Sequence, residues 1–154
     1  MIKMISELKD IHATKGKILS VDFGDTRTGL AVSDPSRLLA SGIGYISPGG
    51  IEKTADAVAE IAREQSVVSV VVGLPVNMDG SEGSRAQRCR KFTSMLAERL
   101  SLPVAMFDER MTTMTASRYL NETETRGKKR KSVIDTLSAQ IILQNCLDRL
   151  RYLS

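Results

Sequence analysis

The sequence has no tryptophan, one histidine and only 4% aromatic residues in a chain of 154. A core of this composition has to be largely aliphatic. A surface with so few aromatic side chains is poorly suited to stacking on single-stranded bases. The single histidine, His12, lies in a polar stretch and is assigned no role. These absences leave the carboxylates of Asp and Glu as the side chains best able to catalyse a reaction or bind a metal.

Cysteine is also scarce, and long apolar runs are absent. Cys89 and Cys146 are far apart, fall within helical patterns and lack any CxxC spacing, which is typical of small buried hydrophobes in a reducing compartment. The longest apolar run, residues 67–74, is too short to cross a bilayer, and the first residues lack the apolar core of a signal peptide. We therefore expect a cytoplasmic protein with no membrane association.

Length and charge favour one mildly basic domain. A hydrophobic content of 42% in 154 residues sustains a single core, which we place in residues 17–154. Residues 1–16 are polar and weakly patterned, so a mobile or loosely docked N-terminal arm is expected. The net charge of +4 permits nucleic-acid binding without establishing it.

Hydrophobic periodicity predicts an α/β fold with the element order βββαβαβαα. Strands one, four and five can pair in parallel because two helices supply the crossovers, giving a five-stranded mixed sheet of order 3-2-1-4-5 with strand 2 antiparallel. The last helix is predicted to begin at Ser132 and to bury Val133, Leu137, Ile141 and Leu147. The predicted strands are residues 17–22, 28–32, 40–46, 67–73 and 103–107; the other helices are residues 51–65, about 84–100 and a short one after Thr112 or Thr113.

Three acids lie at the ends of predicted elements: Asp22 and Glu109 follow strands, and Asp135 falls in the first turn of the last helix. Ligands of open α/β sheets gather at the carboxyl ends of the strands, and this topology can bring the three together. Clustered carboxylates raise one another's pKa unless a cation neutralises them, and oxygen-only ligation favours Mg²⁺ or Mn²⁺. Such a site suits two-metal hydrolysis of a phosphodiester, in which one ion activates water and the other stabilises the leaving oxygen.

Each acid also has an ordinary structural interpretation. Asp22 could accept hydrogen bonds from turn amides, and Asp135 could stabilise the helix dipole. Asp108 is the neighbour of Glu109 on a strand, so the two side chains should face opposite ways, and Asp108 is expected to pair with Arg110 at the strand end.

Basic and polar residues follow the same strand ends. The charged run at residues 121–131 contains no apolar residue, predicts a solvated mobile loop, and leads directly into Asp135, where its cations would meet a phosphate backbone. The basic start of the second long helix could instead be a solvated face, and the loop at residues 74–83 could be only a crossover turn rather than a phosphate site. The predicted nucleic-acid contacts are Arg27, Asn77, Ser81, Arg85, Arg88, Arg110, Lys128, Lys129, Arg130 and Lys131.

Four stretches together resemble the YqgF (RuvX) family of Holliday junction resolvases and pre-16S rRNA nucleases, within the ribonuclease H-like superfamily. They are VDFGDTRTGLAVSD at residues 21–34, VVGLPVNMDGSEG at 71–83, FDERMTT at 107–113 and RGKKRKSVIDTLSA at 126–139. The resemblance implies a ribonuclease H-like fold, makes Asp22, Glu109 and Asp135 the metal ligands, and selects Glu109 over Asp108. RuvC-type resolvases carry a second acid one turn further along the last helix, where this chain has Ser138, which counts against junction cleavage.

The sequence therefore predicts a Mg²⁺- or Mn²⁺-dependent nuclease that acts on structured RNA in maturation of the 5′ end of pre-16S rRNA. The helix stripes are used by the sheet and the outer faces are charged, so no strongly apolar exposed surface demands a stable dimer, and we expect a monomer or weak homodimer. The alternatives are a Holliday junction resolvase on branched DNA, a non-catalytic nucleic-acid adaptor, and an ATP binder of the actin or sugar-kinase type. The ATP-binding alternative rests on the likeness of residues 22–34 to a phosphate-binding hairpin, but one domain of this size cannot close a two-domain cleft.

Overall fold

A computed structural model describes residues 5–111 and 127–153, with side chains for residues 5–110 and 136–153. The predicted strands and the first two long helices are confirmed, with bounds shifted by no more than a residue or two, while the predicted short helix after Thr112 lies outside the described residues. The elements are α1 (Leu8–His12), β1 (Ile18–Asp22), β2 (Thr28–Ser33), β3 (Ala40–Ile46), α2 (Ile51–Glu64), β4 (Ser69–Leu74), α3 (Ser84–Arg99), β5 (Val104–Asp108), a 3-10 turn (Glu109–Met111) and α4 (Gly127–Arg151).

The strands form one mixed sheet of order β3-β2-β1-β4-β5, as the sequence predicts. β2 pairs antiparallel with β1 and β3, whereas β4 pairs in parallel with β1 and β5. The carboxyl ends of β1, β4 and β5 therefore meet at one edge, which carries Asp22, Leu74 and Asp108.

Helices cover both faces of this sheet. Every residue of β4 is buried, which explains its nearly unbroken β-branched sequence. α2 and α3 pack on one face through stripes such as Val58 and Phe92, and α4 packs on the other through Ile142 and Leu147. Of the helices in the described ranges, none combines the length and hydropathy that a membrane span requires.

The core is mainly aliphatic, as expected, yet it also contains all three phenylalanines of the chain. Phe23 and Phe92 stack with ring centroids 4.5 Å apart, and Phe107 is buried under α4. Both cysteines are buried and unbridged, and burial raises the pKa of each thiol to about 12. The prediction of small buried hydrophobes at Cys89 and Cys146 is confirmed.

The described residues of the N-terminal segment are docked, which corresponds to the second of the two states expected for this arm. The Ser6 amide donates to the Val104 carbonyl at 2.8 Å, which places this segment along the outer edge of β5. Ile11 is fully buried. The Arg37 guanidinium donates to the carbonyls of Ile11 and Gly16 at 3.2 and 2.8 Å. Ile11, the partly buried Leu8 and these hydrogen bonds together hold the segment against the rest of the protein.

The last helix begins earlier than predicted. α4 starts at Gly127 rather than Ser132, so the backbone of Lys128 to Lys131 is helical and the predicted loop is wrong at these positions. Lysine and arginine are good helix formers, although a run without apolar residues looks like a loop. The buried stripe also differs from the prediction, since Leu137 and Ile141 are only partly buried. Leu147 is buried as predicted, and the side chain of Val133 lies outside the described residues. Among residues 136–153 the buried members of the stripe are Ala139, Ile142, Leu143, Cys146, Leu147 and Leu150.

Candidate active site

Asp22 is the last residue of β1 and is presented at the strand end by its neighbours. The next residue, Phe23, is anchored in the core against Phe92. Gly24 follows and lies directly against the Arg27 carbonyl, where a Cβ would collide. The hairpin turn can close this tightly only with glycine at that position, and its closure leaves Asp22 at the carboxyl edge of the sheet.

Asp22 lies on the face of the sheet that α4 covers. Ser20, two residues earlier on β1, donates from its hydroxyl to the Ala139 carbonyl of α4 at 2.6 Å. Side chains at alternate strand positions share a face, so Asp22 lies on the α4 side as well. Asp135 lies in α4 one helical turn before Ala139, a spacing that puts the two positions on the same side of the helix.

Gly73 separates the two strand ends that carry the candidate acids. Because Val21 pairs with Val72, Gly73 of β4 lies level with Asp22. A Cβ at Gly73 would be 2.5 Å from Ile142 Cδ1 and 3.2 Å from Glu109 Cγ, so the Glu109 side chain extends over Gly73 towards β1. Sequence reasoning missed this residue, although an isolated glycine ending a β-branched run is a signal of close approach.

Glu109 opens the 3-10 turn after β5 and is partly buried. Burial raises the pKa of its carboxyl above the ordinary range; the Arg85 guanidinium lowers it and the Asp108 carboxylate raises it further. The carboxylates of Glu109 and Asp22 both act on the buried thiol of Cys89, raising its pKa in addition to the larger effect of burial. Asp22 and Glu109 thus both lie near enough to Cys89 to influence it, at the carboxyl edge of the sheet.

The third predicted ligand cannot be placed in the same way. The side chain of Asp135 lies outside the described residues, and its role stays a prediction. Among the side chains at residues 5–110 and 136–153, no group of three His, Cys, Asp or Glu residues could hold a metal ion. Asp22 and Glu109 are thus the two predicted ligands whose side chains the structure describes, and both lie at the carboxyl edge of the sheet.

Two of the predicted nucleic-acid contacts take part in ion pairs. Arg88 of α3 pairs with Asp25 in the β1–β2 turn, so it ties the helix to the hairpin that carries Asp22. Arg110 pairs with Asp108 at 2.7 Å, which confirms the strand-end pair expected from the sequence. Arg85 is exposed at the start of α3 and influences Glu109 electrostatically.

Arg27 packs against an aromatic ring. Its guanidinium lies 5.1 Å from the ring centroid of Tyr45, within the range of a cation–π contact. Tyr45 pairs with Gly29, which in turn pairs with Asp22, so this contact lies level with the candidate site and two strands away. The side chains of the other predicted cations, Lys128, Lys129, Arg130 and Lys131, lie outside the described residues.

The loop after β4 is closed by its own hydrogen bonds. The backbone amide of Asn77 donates to the Ser81 carbonyl at 2.9 Å, and the backbone amide of Gly80 donates to the Asn77 backbone carbonyl at 2.8 Å. The Ser81 amide and hydroxyl donate to the Asp79 carboxylate at 2.9 and 2.6 Å, and these bonds lower its pKa. Three amides expected to meet a phosphate are already bonded within the loop, so phosphate contact by Asn77 and Ser81 stays a prediction for their side chains.

The chain is similar to proteins of one family over most of its length. A family model named RuvX, described as Holliday junction resolvase, matches residues 16–149. A relative from Ruminiclostridium cellulolyticum, named as a candidate pre-16S rRNA nuclease, is 38% identical over 135 residues, covering 87% of this chain and 95% of its own. A relative with the same name from Pelotomaculum thermopropionicum is 43% identical over 133 residues, covering 86% of each chain.

Solved structures show the fold. RuvC of T. thermophilus in complex with a Holliday junction substrate superposes with a TM-score of 0.56, covering 88% of this chain and 96% of that one, at 13% identity. A second structure of Thermus thermophilus RuvC gives a TM-score of 0.52. At 13% identity the likeness shows the ribonuclease H-like fold and says nothing about the substrate. Because the family match spans nearly the whole sheet and its helices, this chain belongs to the RuvX family.

Proposed function

We propose that this protein is a metal-dependent nuclease that hydrolyses phosphodiester bonds in structured nucleic acid, with Asp22, Glu109 and Asp135 as the metal ligands. One observation supports this most directly: Asp22 and the Glu109 side chain reach the same face of the sheet at its carboxyl edge, with Gly73 leaving room between them. Ligands of open α/β folds bind at this edge.

The described residues fit a hard divalent cation. Carboxylate oxygens are the donors that Mg²⁺ and Mn²⁺ prefer. The raised pKa of Glu109 shows that burial disfavours its ionised form more than Arg85 favours it, a cost that a bound cation would relieve. When bound, such ions supply an activated water and stabilise charge on the leaving oxygen.

The chain's own residues position these groups. Gly24 and Phe23 fix the strand end that presents Asp22. The ion pair between Arg88 and Asp25 holds that hairpin against α3. Arg85 places a positive charge near Glu109, where it favours the ionised carboxylate that a metal needs.

We take precursor 16S ribosomal RNA as the substrate, because relatives that this chain matches over most of their length are named as pre-16S rRNA nucleases. Cations after residue 126 lead along the chain towards Asp135, where phosphate contacts would supply affinity and position. Resolution of DNA junctions is the second candidate, and the description of the matching family favours it.

The test is cleavage by purified protein with Mg²⁺ or Mn²⁺, comparing the native chain with Asp22→Asn. Asn keeps the shape of Asp22 and removes its charge, so metal binding should weaken while the fold persists. We expect the cleavage rate to fall by roughly 10³-fold, since a metal contributes several kcal/mol to such a transition state. Cleavage by Asp22→Asn at the native rate would rule out this site.

A further inference from the structure

Met78 is the most exposed large apolar side chain in the described part of the sequence, at 87% of its accessible area. A single exposed apolar residue is ordinary on a protein surface. Met78 differs because of where it lies: it follows β4, whose carboxyl end lies between Asp22 on β1 and Asp108 on β5. A flexible loop would let such a side chain fold back onto the protein.

The loop that carries Met78 is braced from within. Asn77 and Ser81 are joined by a backbone hydrogen bond of 2.9 Å and a side-chain hydrogen bond of 3.0 Å. Gly80 adopts a φ of +90°, which glycine accepts readily, and its amide closes the turn onto Asn77. Asp79 accepts two hydrogen bonds from Ser81. These bonds leave Met78 at the tip with its side chain in solvent.

The loop is also joined to the candidate active site. Arg110 follows Glu109 directly, and it is held by three side-chain hydrogen bonds to the Asp108 carboxylate at 2.7 to 3.2 Å. Its Nη1 lies 3.6 Å from where a Cβ of Gly80 would stand, and its charge lowers the pKa of Asp79. Arg110 therefore reaches from the end of β5 to the Met78 loop, so the loop lies close to the residue that follows Glu109.

We propose that Met78 is an apolar wedge that enters the base stack beside the phosphate being cut. Apolar side chains, methionine among them, insert between base steps and unstack them. Methionine is unbranched and polarisable, so it can fill the irregular gap between two bases. This inference rests on the proposed nuclease function and names its substrate class: nucleic acid cut at a boundary between duplex and single strand, where one step must be opened.

A fluorescence measurement tests the wedge without cleavage. The substrate is an RNA duplex with a single-stranded extension that carries 2-aminopurine at the last paired position, a base whose emission rises on unstacking. The protein is Asp22→Asn, alone or combined with Met78→Ser, Met78→Leu or Tyr152→Ser. Tyr152 is a matched control because it is similarly exposed, at 86%, and lies just beyond α4.

We expect the emission to rise with Asp22→Asn, to rise equally with the added Met78→Leu or Tyr152→Ser, and to stay near the free-substrate level with Met78→Ser. Equal emission for Met78→Ser and its parent, at saturating protein, would overturn the wedge. Absence of any nucleic-acid binding by all four proteins would overturn both the wedge and the proposed function.

Cleavage by the otherwise native chain separates the two proposals further. Opening one base step has a free-energy cost that the wedge would offset, so Met78→Ser should cut the paired boundary about tenfold more slowly or worse. A mismatch at that boundary should restore the native rate, which a merely structural defect would not allow. Equal slowing on paired and mismatched substrates would reject the wedge while leaving the nuclease intact, and no cleavage by the native chain would reject the nuclease.

Discussion

Gly73 offers a single-residue test of how the two acids come together. In Gly73→Ala the new methyl would lie 2.5 Å from Ile142 Cδ1 and 3.2 Å from Glu109 Cγ, so Ile142 has to move and Glu109 has to give by a few tenths of an ångström. We expect the cleavage rate to fall by roughly 10- to 100-fold, as when a group that orients a metal ligand is lost, and the free energy of unfolding to fall by about 1–3 kcal/mol from overpacking.

The matched control for this change is Gly83→Ala. Gly83 belongs to the same end of the molecule, but the nearest atom to its added Cβ is Asn77 Nδ2 at 4.0 Å, an ordinary contact. Cleavage rate and thermal unfolding should both stay close to native. If Gly73→Ala cleaved as fast as Gly83→Ala, the approach of Glu109 over Gly73 would have no part in activity.

Glu109 gives a prediction in pH. Its folded-state pKa lies above the ordinary value of 4.5, so the metal-free protein binds more protons than the unfolded chain above that pH. The contribution of Glu109 to the free energy of unfolding is then fully present below pH 4.5 and is lost as pH rises through the raised pKa. Glu109→Gln removes this loss, so in EDTA it should be more stable than the native chain at pH 7 but not at pH 4.

Thermal unfolding at the two pH values, with and without Mn²⁺, checks the prediction. Added Mn²⁺ should stabilise the native chain at pH 7 and leave Glu109→Gln nearly unchanged, because the substitution removes a ligand. A difference between the two proteins that is the same at pH 4 and pH 7 would show that burial of Glu109 does not control it.

At the scale of single residues, the sequence predicts which residues belong to the candidate site better than it predicts which residues they contact. Asp22 and Glu109 stand out because acids directly after buried strands are unusual, and the Asp108–Arg110 pair follows from strand alternation. The clearance at Gly73 and the ion pair of Arg88 with Asp25 depend on distances between elements, which periodicity does not encode.

The start of α4 carries the main prediction at the scale of elements. The backbone of Lys128 to Lys131 is helical, so these cations belong to the first turns of the helix that contains Asp135. We expect replacement of Lys128, Lys129 and Lys131 by Ala to weaken binding about equally for all sequences. The slope of log affinity against log salt should flatten by roughly one unit per lost phosphate contact.

Lys9→Ala is the control for this triple change. Lys9 is an exposed lysine of α1, in the segment docked along β5 near the amino end of that strand, and its Nζ lies 3.6 Å from Glu7. Its removal should leave the salt slope unchanged. Binding measured by fluorescence anisotropy at several salt concentrations decides the matter, and an unchanged slope for the triple variant would show that α4 does not touch phosphate.

Elements were predictable where one signal dominated. The β-branched run of β4 and the apolar stripes of α2 and α3 have no competing interpretation, and their bounds were nearly correct. The start of α4 was missed because a charged run predicts a loop by polarity and a helix by propensity. For the residues before β1 the sequence left a mobile and a loosely docked arm open, because their docking depends on a few contacts of Ser6, Leu8 and Ile11 that periodicity does not reveal.

At the scale of the whole molecule, the order of the strands could be derived from their connections, but the exposed apolar residues could not. Right-handed crossovers leave few arrangements for β1, β4 and β5, so the order could be derived. Leu38 and Leu39 are exposed, at 57% and 69% of their accessible area, and the sequence did not single them out. Arg151 near the end of α4 donates to the Leu38 carbonyl at 3.2 Å, so the exposed Tyr152 and these leucines belong to the same end of the molecule.

That apolar end bears on which nucleic acid is cut. Resolving a four-way junction takes symmetric cuts on two strands, and therefore two active sites held at a set separation by a stable two-fold dimer. The exposed apolar residues near Leu38 are few and lie at the end of β2 away from Asp22, which pairs with Gly29 at the start of that strand. A monomer or weak dimer that acts once on an RNA boundary fits this surface better, and Ser138 in place of a second acid on α4 points the same way.

We therefore expect faster cleavage of precursor 16S ribosomal RNA than of a mobile four-way DNA junction, at equal metal and salt. Sedimentation at micromolar protein should show mainly monomer, and Leu39→Ser should change neither the sedimentation nor the cleavage rate. A tight dimer at nanomolar protein that makes paired symmetric nicks in the junction, loses them in Leu39→Ser and leaves the RNA intact would instead establish a resolvase assembled through the Leu38 end of the molecule.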